Sequence, residues 1–110
     1  MDERARRIGE NEILYRTVNE RIEDLNATFG TPAERMTVVC ECGEATCAMQ
    51  IDLDIPTYER IRADAELFVI VPGHQIEDVE TLVEQNGNYA IVRKDPGDSA
   101  ELAEAHDPRS

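Results

Sequence analysis

The chain predicts an α+β fold, a long N-terminal helix packed on a small, mainly antiparallel sheet. Three observations lead there. Apolar residues recur at helical steps between Ile8 and Phe29. Short β-branched runs separated by turn chemistry follow. All three cysteines fall within Cys40-Glu41-Cys42-Gly43-Glu44-Ala45-Thr46-Cys47, a stretch that reads as a metal knuckle at one end of the sheet. A length of 110 residues leaves room for one core. The expected organisation is a single metal-stapled domain over 1–94 and a polar acidic tail over 95–110 with a short helix.

In chain order, Leu14, Val18, Ile22, Leu25 and Phe29 form a helical stripe expected to lie on the sheet. A helix that pairs with a second copy is the sharper alternative. Glu12, Arg16 and Glu20 stand at the i, i+4 spacing of an exposed, charge-paired face. Asn11 and Asn19 are poor helix formers in a good helix, which suggests specific hydrogen bonds. Gly30 and Pro32 end the helix.

Met36–Val39 and the alternation Met49, Ile51, Leu53 predict two strands of a hairpin with the cysteines at its tip, where Gly43 supplies a positive φ. Asp54 caps a short helix with Pro56 in its first turn and Tyr58 and Ile61 facing inward. Leu67–Val71 is apolar throughout and reads as the central strand, its end delivering His74 after Pro72-Gly73. Val79, Thr81 and Val83, then Asn86-Gly87-Asn88, then Tyr89–Arg93 predict a second hairpin. Asp98 with Glu101 resembles a capping box for a short helix before a frayed end.

Cys40-x-Cys42 followed four residues later by Cys47 puts three soft donors on one loop. A structural zinc site takes four tetrahedral ligands from thiolate and imidazole, and Cys40, Cys42, Cys47 and His74 fill that shell once per chain. The rival histidine, His106, lies in the acidic tail. Thiolates also select copper(I) or iron–sulfur clusters, although a [4Fe–4S] cluster typically takes four cysteines. The bland alternative is three unligated thiols beside a surface histidine. A filled shell offers no position for water, which argues against hydrolytic zinc. No Gly-rich phosphate loop or serine–base pair is present in the sequence, so no catalytic residue is assigned.

The net charge of −13 is uneven: residues 1–21 balance five Arg against five acids, and the excess lies downstream. Such a field repels phosphate backbones and excludes ordinary nucleic-acid binding. The acidic run Glu77, Asp78, Glu80 and Glu84 offers a surface to a basic partner, or simply a solvated face. No apolar run reaches the length that spans a bilayer, so no membrane role is expected. The clustered, odd number of cysteines suits the reducing cytoplasm.

Asn11-Glu12 with Arg16, Val18-Asn19-Glu20-Arg21-Ile22, the Cys40-x-Cys42-x4-Cys47 motif, Tyr58-Glu59 with Arg62, Pro72-Gly73-His74 and Asp107-Pro108-Arg109 together resemble a family of small uncharacterised bacterial proteins from high-GC genomes. The resemblance spans nearly the whole chain. It implies no particular activity and marks the cysteines, His74 and the Asn-Glu segments as pattern positions. The expected function is a small non-enzymatic zinc protein acting as an interaction or regulatory module with an unidentified protein partner. A thiol-based redox or zinc sensor is the alternative, and a small zinc hydrolase or lyase the third reading.

Overall fold

The computed structural model describes residues 3–28, 35–44 and 46–109. The first element, α1, spans Glu3–Thr28 and is followed by an antiparallel hairpin of β1 (Arg35–Val39) and β2 (Gln50–Asp54). Helix α2 (Ile55–Arg62) then leads to β3 (Leu67–Ile70), β4 (Glu80–Gln85) and β5 (Ala90–Lys94), and α3 (Asp98–Ala105) closes the chain. The architecture is α+β with two small antiparallel sheets, β1-β2 and β3-β5-β4.

Local chemistry explains most of these elements. Asp54 Oδ1 accepts the Thr57 N–H at 2.7 Å and Pro56 sits in the first turn, so α2 starts where its cap dictates. Its inward side chains Tyr58 and Ile61 are fully buried beside Ile51 and Leu53 of β2 and Phe68, Val69 and Ile70 of β3. The turn between β4 and β5 is fixed by Asn86 Oδ1, which accepts the N–H groups of Asn88 and Tyr89.

The N-terminal helix turns most of its expected apolar stripe outward, and of the described members only Ile22 packs against the core. Leu14, Val18 and Leu25 are 57%, 38% and 45% exposed, whereas Glu12, Arg16 and Asn19 are buried. Phe29, the last member of the expected stripe, and Gly30 and Pro32, the expected helix end, lie outside the described residues. The polar face wins because its groups find partners on other elements. Lys94 Nζ donates to Glu12 Oε1 at 2.6 Å. Arg16 donates to the carbonyls of Ala65, Ala103 and His106 and stacks 5.0 Å from the Phe68 ring. Two of those carbonyls belong to the C-terminal end of α3, which this guanidinium satisfies in place of water. Glu12 and Arg16 are therefore tertiary contacts rather than an exposed i, i+4 pair.

Three further differences follow from the pairing. β5 is the central strand of its sheet and β3 an edge, although β3 is buried throughout. In β4 a register shift between Leu82 and Glu84 breaks the expected alternation. Leu82 and Val83 are exposed, and the buried residue of the strand is Glu80. Helix α3 starts one position earlier than expected: Asp98, the expected cap, is its first residue, and Gly97 at φ 137° is the N-cap, with no side-chain cap. Its Ala100 and Ala103 are buried, and Arg109 beyond it pairs with Glu20, Glu23 and Glu59, so the expected frayed end is docked on α1 and α2.

Glu80 and Glu12 share the buried Lys94, and Glu80 Oε1 also accepts the Ile76 N–H at 2.8 Å. Two carboxylates against one ammonium leave an excess negative charge, and both Oε2 atoms lack a hydrogen-bond donor. One proton resolves both problems. Burial, followed by a hydrogen bond to Glu80, raises the Glu12 carboxyl well above its ordinary range despite Lys94. Glu23, raised to about 7 by burial and by its hydrogen bond with Glu59, acts in the same sense. A carboxyl that titrates higher folded than unfolded contributes stability below its unfolded pKa, and that contribution is lost as pH rises through the folded pKa. We expect Glu12→Gln, whose amide can donate to Glu80 and whose carbonyl can accept from Lys94, to gain stability relative to wild type as pH is raised from 5 to 8. The difference between the two sets of melting curves measures this, because contributions from other groups are common to both. Parallel curves would refute the shared proton.

Candidate metal centre

The hairpin ladder continues one rung past β1, with the Cys40 N–H donating to the Met49 carbonyl at 2.8 Å. There the backbone leaves β2 and meets the edge of β3. The Glu41 N–H donates to the Val69 carbonyl at 2.8 Å, and the Val71 N–H donates to Cys40 Sγ at 3.2 Å. The knuckle thus completes the β3 edge that no strand covers. After β3, the Val71-Pro72-Gly73-His74 turn closes with the His74 N–H on the Val71 carbonyl, and Gly73 takes the required positive φ of 92°.

This turn brings His74 to the cysteines. One donor atom from each of Cys40, Cys42, Cys47 and His74 lies within 4.8 Å of the others. The His74 Nδ1 is 3.6 Å from Cys40 Sγ and 3.7 Å from Cys47 Sγ. Metal–sulfur bonds of about 2.3 Å and metal–nitrogen bonds of about 2.0 to 2.1 Å at tetrahedral angles imply an S···N edge of about 3.6 Å. The four side chains could therefore hold a metal ion with little rearrangement. His106 is elsewhere, exposed at the C-terminal end of α3 with its carbonyl on Arg16.

The thiols are unequal. The hydrogen bond from Cys40 lowers the Cys42 thiol to about 5 against the opposing effect of burial, with further help from the Glu44 N–H, His74 and Cys47. Cys40 is raised, first by donating to Cys42 and then by burial. The cluster thus holds a thiolate at neutral pH and N–H donors aimed at sulfur, the state in which thiols take up metal.

Behind the sulfurs stands a residue that the sequence reading passed over. Glu41 is fully buried. Its Oε1 accepts from Arg62 at 2.8 Å and from the Val69 N–H at 3.1 Å, and its Oε2 from Arg62 at 3.0 Å and Asn19 at 2.7 Å. Arg62 also donates to the Leu67 carbonyl and stacks on Tyr58 and Phe68. Asn19 Oδ1 accepts the Val39 N–H and Asn19 Nδ2 donates to the Val39 carbonyl, so the side chain acts as a strand partner for β1. Asn11 Nδ2 donates to the Gly43 carbonyl at 3.0 Å. Both asparagines are thus held by specific bonds, and both hold the knuckle. The available signal for Arg62 was its spacing, four residues after the inward Tyr58 and so on the same face of a short helix.

Gly43 is needed for a reason other than the expected one. It has no positive φ, but a Cβ there would meet Ile8 Cγ2 at 2.3 Å and Ile76 Cδ1 at 3.2 Å. The knuckle rests directly on α1. On its other side a cleft of about 250 Å³ lined by Cys42, Glu44, Cys47, His74 and Ile76 leaves the cluster open to small molecules. The expected acidic surface is largely consumed internally: Asp78 pairs with Arg4, Glu80 with Lys94, and Glu84 with Arg60. No helix among the described residues is long and apolar enough to cross a membrane.

Removing the cation opposite Glu41 leaves a buried carboxylate without its counter-ion, which typically costs about 3 to 5 kcal/mol. Arg62→Met should lose that much in denaturant unfolding, while Arg35→Met at the exposed Asp52 pair should lose no more than about 1 kcal/mol. Equal losses would show that the buried pair has no special role. Gly43→Ala should cost about 1 to 3 kcal/mol by overpacking. In an Ile8→Ala background the cost should shrink, a coupling read from the double-mutant cycle.

No family model, curated protein or solved structure matches this chain, so the geometry of the Cys3His cluster carries the functional reading.

Proposed function

We propose that the chain is a non-enzymatic zinc protein of the cytoplasm, with one ion bound by Cys40, Cys42, Cys47 and His74, and that it serves as an interaction or regulatory module. The observation that carries this reading is the origin of the four donors. Three come from the loop of the first hairpin and the fourth from the turn that leaves the other sheet, so one ion would join the two sheets at their common end. Three thiolates and an imidazole at tetrahedral spacing suit zinc, and a full shell leaves no position for a hydrolytic water. The charge of −13 directs the search for partners toward proteins rather than nucleic acid.

A second reading rests on the cleft. It reaches Cys42, Cys47 and His74 from solvent, so an oxidant can approach sulfurs that a sealed knuckle would protect. In that case the protein is a thiol-based sensor that releases zinc on oxidation.

Elemental analysis of protein purified without chelator should find about one zinc per chain; a value near zero would remove the site. Zinc in small finger peptides contributes about 10 to 16 kcal/mol. Accordingly, Cys42→Ser or His74→Ala should lose most of the metal and markedly lower the melting temperature. If His74→Ala kept both unchanged, the shell would have an open fourth position and a hydrolytic or lyase role would replace the structural one. Titration with peroxide separates the two favoured readings. The structural module gives up zinc only as it unfolds, and the sensor does so while its circular dichroism is unchanged.

A further inference from the structure

We propose that the outward face of α1 is the contact surface of an antiparallel, two-fold symmetric homodimer. The face opposite the buried Glu12, Arg16 and Asn19 carries Leu14, Val18 and Leu25, three of the six large hydrophobic residues exposed among the described residues. Single exposed apolar residues need no explanation, but a stripe with helical spacing that turns outward while charges are buried does.

Charge identifies the occupant. Of the 11 basic side chains, all but Arg7 and Arg21 hydrogen-bond or pair with other groups in the chain among the described residues. In a chain with 24 acids this is unusual; Arg21 lies on the outward face of α1, and Arg7 at its edge, beside the cleft it lines with Asn11 and Gly43. The face reads Arg7, Glu10, Leu14, Thr17, Val18, Arg21, Asp24, Leu25, all exposed. Laid antiparallel on a second copy, Arg7 comes beside Asp24, Glu10 beside Arg21, and Leu14 beside Thr17 and Val18. In this register Arg7, Glu10, Arg21 and Asp24 each meet an opposite charge, while the exposed Arg6 at the edge of the face comes beside Leu25. A parallel pair would set Arg7 on Arg7 and Arg21 on Arg21, and like charges across a helix seam are destabilising. Glu10 now makes an exposed pair with Arg6, which a partner arginine can share. The pattern is self-complementary only under a two-fold axis, which makes a second copy the natural partner.

The area sets the strength. A helix of 26 residues is about 39 Å long and about 10 Å wide, so a helix-on-helix contact covers roughly 400 Å² per chain. That is about half a standard interface, which places the dimer in the weak, concentration-dependent class.

Sedimentation equilibrium of the zinc-loaded full chain from about 5 µM to about 1 mM should show a monomer–dimer equilibrium. Leu14→Glu should weaken it at least about tenfold, since the residue enters the seam from both copies. Glu10→Arg or Arg21→Glu alone should weaken association, whereas the double swap should restore it, because the pair is re-formed across the antiparallel seam. Metal content and melting temperature should stay at wild-type values in all four proteins, as these side chains are exposed. A wild-type chain that remains monomeric at about 1 mM, a dimer indifferent to Leu14→Glu, or a double swap no better than the single changes would overturn the proposal.

Discussion

In extended backbone, successive side chains point to opposite sides, so a Cys-x-Cys segment that aims both sulfurs at one ion must send the middle residue the other way. Here the other way is the core, and the middle residue is Glu41. A carboxylate buried there is tolerable only if its acceptor positions are filled, and the fold fills them from three elements: Arg62 at the end of α2, Asn19 of α1 and the Val69 N–H of β3. Each of those contacts fixes a neighbour. Arg62 holds the Leu67 carbonyl at the start of β3, and Asn19 holds the backbone of Val39 one residue before the first cysteine. The two sheets share no strand; this buried ion pair joins them, and an ion held by the Cys3His cluster would join them again at the same end.

That arrangement explains which parts of the structure were legible in the sequence. The hairpins, the Asp54 cap, the inward Tyr58 and Ile61 and the four candidate ligands all announce themselves locally, through turn chemistry, capping and cysteine spacing. The orientation of α1 does not. Its sequence contains two stripes of helical period on opposite faces, one apolar and one made of Glu12, Arg16 and Asn19, and periodicity alone ranks the apolar one inward. The ranking reverses because Lys94, Glu41 and the carbonyls at the end of α3 need hydrogen-bond partners, and those groups lie between 22 and 90 residues away in sequence. The central position of β5 is equally non-local. An all-apolar run such as Leu67–Ile70 normally signals a strand flanked by others, but here side chains and the knuckle backbone cover the edge that a strand would otherwise take.

Burying charge at this density has a consequence for specificity. Replacing a buried ion pair by apolar residues of similar volume is often neutral or stabilising, so Glu41–Arg62 and Glu12–Lys94 are poor candidates for the main source of stability. They are better understood as constraints on register. A helix packed by leucines can slide or rotate by a residue at small cost, whereas one packed by Glu12, Arg16 and Asn19 loses several charged hydrogen bonds at once if it moves. Asn11 and Asn19 set the knuckle backbone at Gly43 and Val39, and Ile8 touches Gly43 directly, so the same rigid helix face defines where the cysteines stand.

The candidate metal ligands are therefore supported by a helix whose inner face is committed to positioning. Such a face supplies little apolar contact beyond Ile8 and Ile22, and Leu14, Val18 and Leu25 are left on the opposite side. A polar inner face and an apolar outer face are two aspects of one solution: specificity toward the knuckle is obtained with hydrogen bonds, and the leucines and valine of the helix remain free to meet another surface. Oxidation or loss of a ligand at the cluster would be felt first at Glu41, then through Asn19 at α1, because no flexible linker separates them. The chemistry at the sulfurs and the outward face of α1 are thus separated by a single layer of buried, fully specified contacts.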